Sequence, residues 1–403
     1  MGAKINGSKT YPDCRALLVA ERTIPVAVGS LMVSAAYAIF IATLPIELIA
    51  RGWNGFWIGS AVGSYALGAL IFRIFGNNFI DERGPRFAST IALTGLLSTG
   101  IVLITIVGLT GPLFEIGLFF ARIIQGAAAA CYRTAALTFV SETGSEATRG
   151  RRIGLLTAII GIAFLAGPPV GLLLQASPLE PLLWAAPILA ALIAFFLRPP
   201  GLQRRDKLPR VQLGLIRNAT FIGLLSVISG AALIQGGAEA HFPLIAHSLG
   251  IGGIIIYLYL AFGLASLISR MIGGFIFDRF GMNIGIVLGT SFLLAALLFP
   301  ISYPNAPSML VSAAFLGAGT GILLTVTMSS VGQVASQSRA GFALGTVSLF
   351  IESGIVLGAI IFGVGVTLLG PFGFFKAGIA VLVLMISAFI ATSIVRAKEV
   401  KHG

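Results

Sequence analysis

The chain is short of charge, of histidine and of cysteine. Charged residues make up 10% of its 403 positions, where a soluble globular protein carries about a quarter. So few charges would not cover the surface of a soluble molecule this long. The three histidines, the two cysteines and the scattered carboxylates show no metal-ligand spacing, so no metal site is expected. Cys14 lies in a tail and Cys131 in an apolar run, which excludes a disulfide framework. No GxxxxGK[ST] stretch is present to cradle nucleotide phosphates, and no cofactor is expected. The run Gly317-Ala-Gly319-Thr-Gly321 is faintly like a dinucleotide loop. It lies inside an apolar stretch, where small residues serve helix packing.

What the chain does have is hydrophobic length. Fifty-seven per cent of residues are hydrophobic and the mean hydropathy is +1.00. Apolar runs of about 20 residues recur, the length that spans a bilayer as a helix. The shorter alternating segments of a membrane barrel are missing. The expected fold is all-α and polytopic, with twelve transmembrane helices between residues 24 and 395. The first apolar run is longer than a signal-peptide core and should remain as a span. One long polar interruption, residues 198–217, divides the chain. It separates a six-helix bundle at 24–197 from a second at 218–395, with tails at 1–23 and 396–403.

Net charge is +12 and the pI about 10.3. The distribution of that charge argues against a nucleic-acid partner. Of 26 Lys and Arg, only Arg51 falls in a loop on one side. Five lie in spans: Arg73, Arg122, Arg133, Arg270 and Lys376. The rest gather in the tails and the even-to-odd loops. Such bias places both termini and the linker in the cytoplasm of a plasma (inner) membrane protein.

The two bundles repeat one another. Arg73, Gly76, Asp81 and Gly84 recur as Arg270, Gly273, Asp278 and Gly281, each 197 residues on. Pro45 near the end of the first span has a counterpart in Pro243 near the end of the seventh. A repeat at half-length predicts two pseudo-symmetric six-helix bundles.

Ionisable residues inside spans are expensive, so each is a functional candidate. Arg122 sits midway down the fourth span, with Gln125 one turn later. Arg133 is three turns on and shares its face. Two arginines in lipid would be prohibitive, so this face should line a cavity. Glu352 and Glu239 are the carboxylates placed to carry a proton, because withdrawal from water favours the neutral carboxyl. A hydrogen bond within the bundle is the plain alternative for Glu239. Glu47 is as well explained by solvation at the interface. Arg73 and Arg270 could simply reach the headgroups. Their matched spacing to Asp81 and Asp278 favours a conformational contact at the loops. Gln235 and the rings of Tyr37, Phe40, Tyr257, Tyr259 and Phe262 are candidates for the cavity wall. Core packing is the commoner fate of such rings. Gly167-Pro168-Pro169-Val170-Gly171 predicts a bent, closely packed fifth span suited to the interface between the bundles.

Three of these stretches resemble motifs of the major facilitator superfamily. Gly274, Asp278, Arg279 and Gly281 are similar to its loop motif G-x-x-x-D-R-x-G. In the first bundle Asn77 and Glu82 stand where that motif has Gly and Arg, while Asp81, Arg83 and Gly84 remain. Arg122-Ile-Ile-Gln125-Gly126 resembles the span-four motif R-x-x-Q-G. Gly167, Pro168 and Gly171 resemble the span-five antiporter motif G-P-x-x-G, with Leu172 in place of its last Gly. The branch most resembled is the twelve-span drug or metabolite:proton antiporters. The resemblance implies alternating access, export of a small organic molecule against protons, and a monomer in the bilayer. Arg122 would then modulate the protonation of a nearby carboxylate. A proton-coupled importer of a sugar or other metabolite is the alternative on the same fold. A membrane enzyme would want clustered His, Asp or Cys at one depth, and a receptor would want a sizeable soluble domain. Neither is written in this sequence.

Overall fold

A computed structural model of the chain describes residues 14–76, 80, 82–143, 146–201, 218–334 and 340–402. Asp81 and Asn77, most of the linker and the first 13 residues of the N-terminal tail lie outside the described residues. Among the described residues there is no strand. Helix α1 is Cys14–Ala50, α2 Gly55–Phe75, α3 Pro85–Ile106, α4 Pro112–Glu142, α5 Glu146–Gln175, α6 Glu180–Phe196 and α7 Ala219–Ser248. One continuous run, Ile255–Ser302, is broken at Gly281 into two legs, α8 (255–280) and α9 (282–302). Then follow α10 (Ala306–Val334), α11 (Ala340–Leu369) and α12 (Gly373–His402).

Among the described residues, ten runs are long and apolar enough to cross a membrane. One of them contains the broken run, whose 48 residues would extend about 72 Å if straight. That is more than twice the hydrocarbon thickness of about 30 Å, so it makes two crossings. Glu180–Phe196 is a shorter apolar helix. Twelve crossings follow if that helix is counted as one. Large apolar side chains such as Phe196, Met271, Leu368 and Leu384 are exposed. An outward apolar face with backbone bonds closed inside each helix is what a bilayer requires.

The repeated stretch turns in the same way twice. Gly84 (φ +82°, ψ 164°) starts α3 and Gly281 (φ +80°, ψ 178°) starts α9. That region of backbone space is open essentially to glycine alone. Packing repeats as well. Gly68 and Gly126 let α2 and α4 meet backbone to backbone, against Ile123 O and Tyr65 O. Gly317 and Gly321 press α10 onto α8 at Phe262 O and Ser266 O. The glycine run that resembled a dinucleotide loop therefore serves helix packing.

The fifth helix corrects one expectation. Gly167 and Gly171 abut Ala38 and Ile39 of α1, inside their own half, and not the other bundle. The reach of α5 across the halves is at Leu165, against Gly263 of α8. Close approach was legible in the glycines; which helix approached was not.

The end of the molecule away from the N-terminus is called the far end below. There Arg51 bonds Glu47 at 2.8 Å and donates to Leu109 O and Val107 O, each at 2.8 Å. It thereby ties the end of α1 to carbonyls just past the end of α3. Glu47 is thus half of an ion pair. Also at the far end, the halves meet along α2 and α11. Gly55 lies against Gly363 O, Gly59 against Ala359 O and Gly63 against Ala359 Cβ. Phe56 N–H donates to Thr367 Oγ1 at 3.1 Å. A side chain on α2 here would hold the two helices apart.

Candidate functional site

The site lies where α1, α2 and α4 of the first half face α7, α8 and α11 of the second. Its placement follows from the glycine contacts. Gly167 and Gly171 let α5 press on α1 around residue 38, which sets Tyr37. Gly126 lets α4 press on α2 at Tyr65. The two tyrosine rings then stack, with centroids 3.6 Å apart. Phe164 meets Tyr37 edge-on at 5.9 Å.

Arg122 is buried behind these rings. Its guanidinium carbon is 5.3 Å from the Tyr37 ring, 5.2 Å from Tyr65 and 5.8 Å from Phe40. Nη1 donates to Gln125 Oε1 at 2.6 Å, and Gln125 Nε2 donates to Ala36 O at 2.9 Å. Nε and Nη2 have no hydrogen-bond partner among the described residues. A desolvated cation over aromatic faces gains about 0.5–2 kcal/mol. That is small beside the cost of withdrawing the charge from water. No carboxylate pairs with Arg122 among the described residues, contrary to a direct reading of its role. Its link to one runs through Tyr37.

Tyr37 O–H donates across the halves to Glu239 Oε2 at 3.2 Å. Gln235, one turn earlier on α7, donates to Oε1 at 2.8 Å. Glu239 is buried, and both side-chain partners are neutral donors. Arg122, Tyr37, Gln235 and Glu239 therefore form one cluster.

Glu352 is held by two arginines of the other half. Arg73 Nη2 is 3.2 Å from its Oε1 and Arg133 Nη2 is 3.7 Å from the same atom. Arg133 shares a helix with Arg122 but serves a different carboxylate. The loop aspartate with which Arg73 was expected to act, Asp81, lies outside the described residues; Arg73 reaches α11 of the other half. Its repeat partner Arg270 is exposed.

The remaining predicted residues scatter. Phe40 is buried against Trp184. Phe262 is half-buried where α8 meets α10, and Tyr257 is exposed in the first turn of α8. At the near-end turns Arg83 lies over Phe87 at 5.4 Å, and Arg279 flanks Phe275 and Phe280. Asp278 is exposed and Gly274 half-buried. Tyr65 and the hydroxyl of Tyr259 went unremarked as site groups in the sequence. An aromatic in an apolar span gives no sign of what its ring or hydroxyl meets.

Comparisons with known proteins bear on this arrangement. A family model described as the Major Facilitator Superfamily matches residues 26–303. Quinolone resistance protein NorA of Staphylococcus aureus (strain MRSA252) is 24% identical over 136 residues, covering 32% of this chain and 32% of the relative. The match spans about a third of that relative's length. Among solved structures, a D-xylose–proton symporter is similar with a TM-score of 0.76 at 16% identity, covering 92% of this chain and 97% of that one. The nucleoside transporter NupG gives 0.72 at 16% identity, covering 92% and 99%. A bacterial homolog of the human lysosomal transporter Spinster, inward-facing and occupied, gives 0.69 at 12% identity, covering 93% and 96%. At such identities the structural likeness speaks for the fold.

Proposed function

The chain belongs to the major facilitator superfamily, and on that premise we propose that it is a secondary transporter exporting a small organic molecule in exchange for protons. The two halves rock against each other, and the far end faces the cell exterior. The basic tails and even-to-odd loops support that orientation. The partial likeness to a quinolone resistance protein supports export of a drug-like molecule.

One observation carries the reading: a buried carboxylate of one half is hydrogen-bonded by the other half, beside a buried cation. Glu239 is the proton site. Its side-chain partners Tyr37 and Gln235 are neutral, so taking up a proton leaves no cation without its counter-charge. Arg122 acts through the Tyr37 ring that lies between them. A proton on Glu239 weakens the acceptor of a bond that joins the halves. Glu352 acts as an ionic clasp. The driving force of the proton gradient includes about 2.3 kcal/mol per charge per 100 mV.

The test is a transport assay in proteoliposomes with an imposed pH gradient and a fluorescent quinolone as the probe. The parent should move the probe opposite to the protons. Glu239→Gln should lose gradient-driven accumulation about tenfold while retaining probe exchange without a gradient, and Arg122→Ala should lose both. Movement of the probe with the protons would replace this reading with import. Parent-like coupling in Glu239→Gln would remove Glu239 from the proton path.

A further inference from the structure

Two prolines matched by the internal repeat leave two carbonyls in need of a donor. In a helix the carbonyl of residue i accepts from the N–H of residue i+4, and proline has none. Pro45 therefore cannot close the turn onto Ile41 O in α1. Pro243 cannot close it onto Glu239 O in α7. The structure brings these two carbonyls, one from each half, to a single hydroxyl. Tyr259 O–H is 2.9 Å from Glu239 O and 3.3 Å from Ile41 O. Ile41, Glu239 and Tyr259 are all buried.

The same substitution of donors occurs once more within the second half. Pro300 frees Ala296 O, and Ser312 Oγ donates to it at 2.6 Å. That contact joins α9 to α10 inside one bundle. The Tyr259 contact is different in kind, because one of its carbonyls belongs to the opposite half.

We infer that Tyr259 is the positioning residue that latches the far end, its hydroxyl shared between the carbonyls freed by Pro45 and Pro243. One proton serves two acceptors in a three-centre bond. When the halves part, Glu239 O keeps Tyr259, a residue of its own half, and Ile41 O turns to water. When they close, water leaves, and Ile41 O must be served by the hydroxyl or go unpaired. An unpaired buried carbonyl is penalised more than a hydrogen bond is worth on average. The latch thus favours closure only while the hydroxyl is present. It also grips the backbone of the residue proposed to carry the proton. The inference depends on the two halves moving apart at the far end, not on proton coupling.

The experiment places spin labels on Leu113→Cys and Leu369→Cys, exposed far-end positions in opposite halves. Cys14 and Cys131 are replaced by alanine. Distance distributions in nanodiscs report the fraction open at the far end. Tyr259→Phe keeps the ring and should raise the open-to-closed ratio about fivefold or more, the worth of one such bond. Pro45→Ala restores the N–H to Ile41 O and should also favour opening. In the Pro45→Ala background, Tyr259→Phe should then change the ratio less than about twofold, because the shared acceptor is already satisfied. Tyr257→Phe, exposed on the same helix, is the control. A parent-like distribution for Tyr259→Phe overturns the latch, as do effects of Tyr259→Phe and Pro45→Ala that simply add. A shifted distribution with no proton-coupled transport would retain the latch and reject the proposed function.

Discussion

Glu239 and Glu352 both belong to the second half and both reach into the first, yet they keep different company. Glu239 is met by a phenol and an amide, Glu352 by two guanidiniums. The difference decides what each can do when it loses its charge. Neutral Glu239 leaves no ion without a partner. Neutral Glu352 leaves Arg73 and Arg133 facing one oxygen that no longer balances them. A carboxylate with neutral partners is suited to a cycle of proton loading, and one between two cations is suited to joining two bodies. Position inside a span, which nominated both residues, does not distinguish these roles.

The largest effect expected from breaking this contrast is at the clasp. Removing one member of a fully buried pair costs about 3–5 kcal/mol. The side chains of this clasp keep 11–21% exposure, so about 2–3 kcal/mol is the expected loss, given solvent screening. Glu352→Gln should therefore slow transport about 30- to 150-fold, and Arg73→Ala or Arg133→Ala should slow it less, since either leaves one cation in place. The decisive measurement is charge reversal. Arg133→Glu combined with Glu352→Arg should recover a substantial part of the transport that either change alone abolishes. No recovery would mean that Glu352 acts through something other than its pairing.

A smaller effect is expected at the far-end seam. A Cβ at Gly59 would collide with the backbone carbonyl of Ala359, whereas one at Gly154 would meet open space. Overpacking of this kind costs about 1–3 kcal/mol. Gly59→Ala should shift the far end toward opening about tenfold, read by the same spin labels, and Gly154→Ala should leave the distribution unchanged. Equal behaviour of the two variants would show that α2 and α11 do not form the gate.

Much of the fold was legible because it is written locally. Run length marked the spans, and the 197-residue offset marked the halves. The matched glycines at 84 and 281 were visible before their shared conformation was. Arg122 with Gln125 was legible for the same reason, since residues one turn apart on a helix are neighbours by construction. The clasp was not, because Arg73 and Glu352 are 279 residues apart. No local rule states which face of α11 turns toward α2. The same limit misassigned Gly167 and Gly171. Small residues announce that some helix comes close and leave its identity to the tertiary fold. Pro45 and Pro243 lie between these cases. Their pairing was evident in the repeat, and the carbonyls they free follow from proline chemistry. The donor, Tyr259, becomes visible only in three dimensions.

The subtlest contrast is between the stacked rings themselves. Tyr37 and Tyr65 lie face to face, both buried and both near Arg122. Their hydroxyls differ: that of Tyr37 donates to Glu239, and that of Tyr65 has no partner among the described residues. Phenylalanine at either position preserves the stack and the ring face toward the guanidinium. If Glu239 is the proton site, Tyr37→Phe removes a donor that favours its ionised form. The pH dependence of transport should then move to higher pH, with maximal turnover reduced only a few-fold. Tyr65→Phe removes a hydroxyl with no acceptor and should leave both the profile and the turnover within about twofold of the parent. The stack alone predicts that the two variants behave alike, so a pH profile that moves in one and not the other assigns the effect to the hydrogen bond. A profile that moves equally in both would return the tyrosines to the role of packing and leave Glu239 without its link to Arg122.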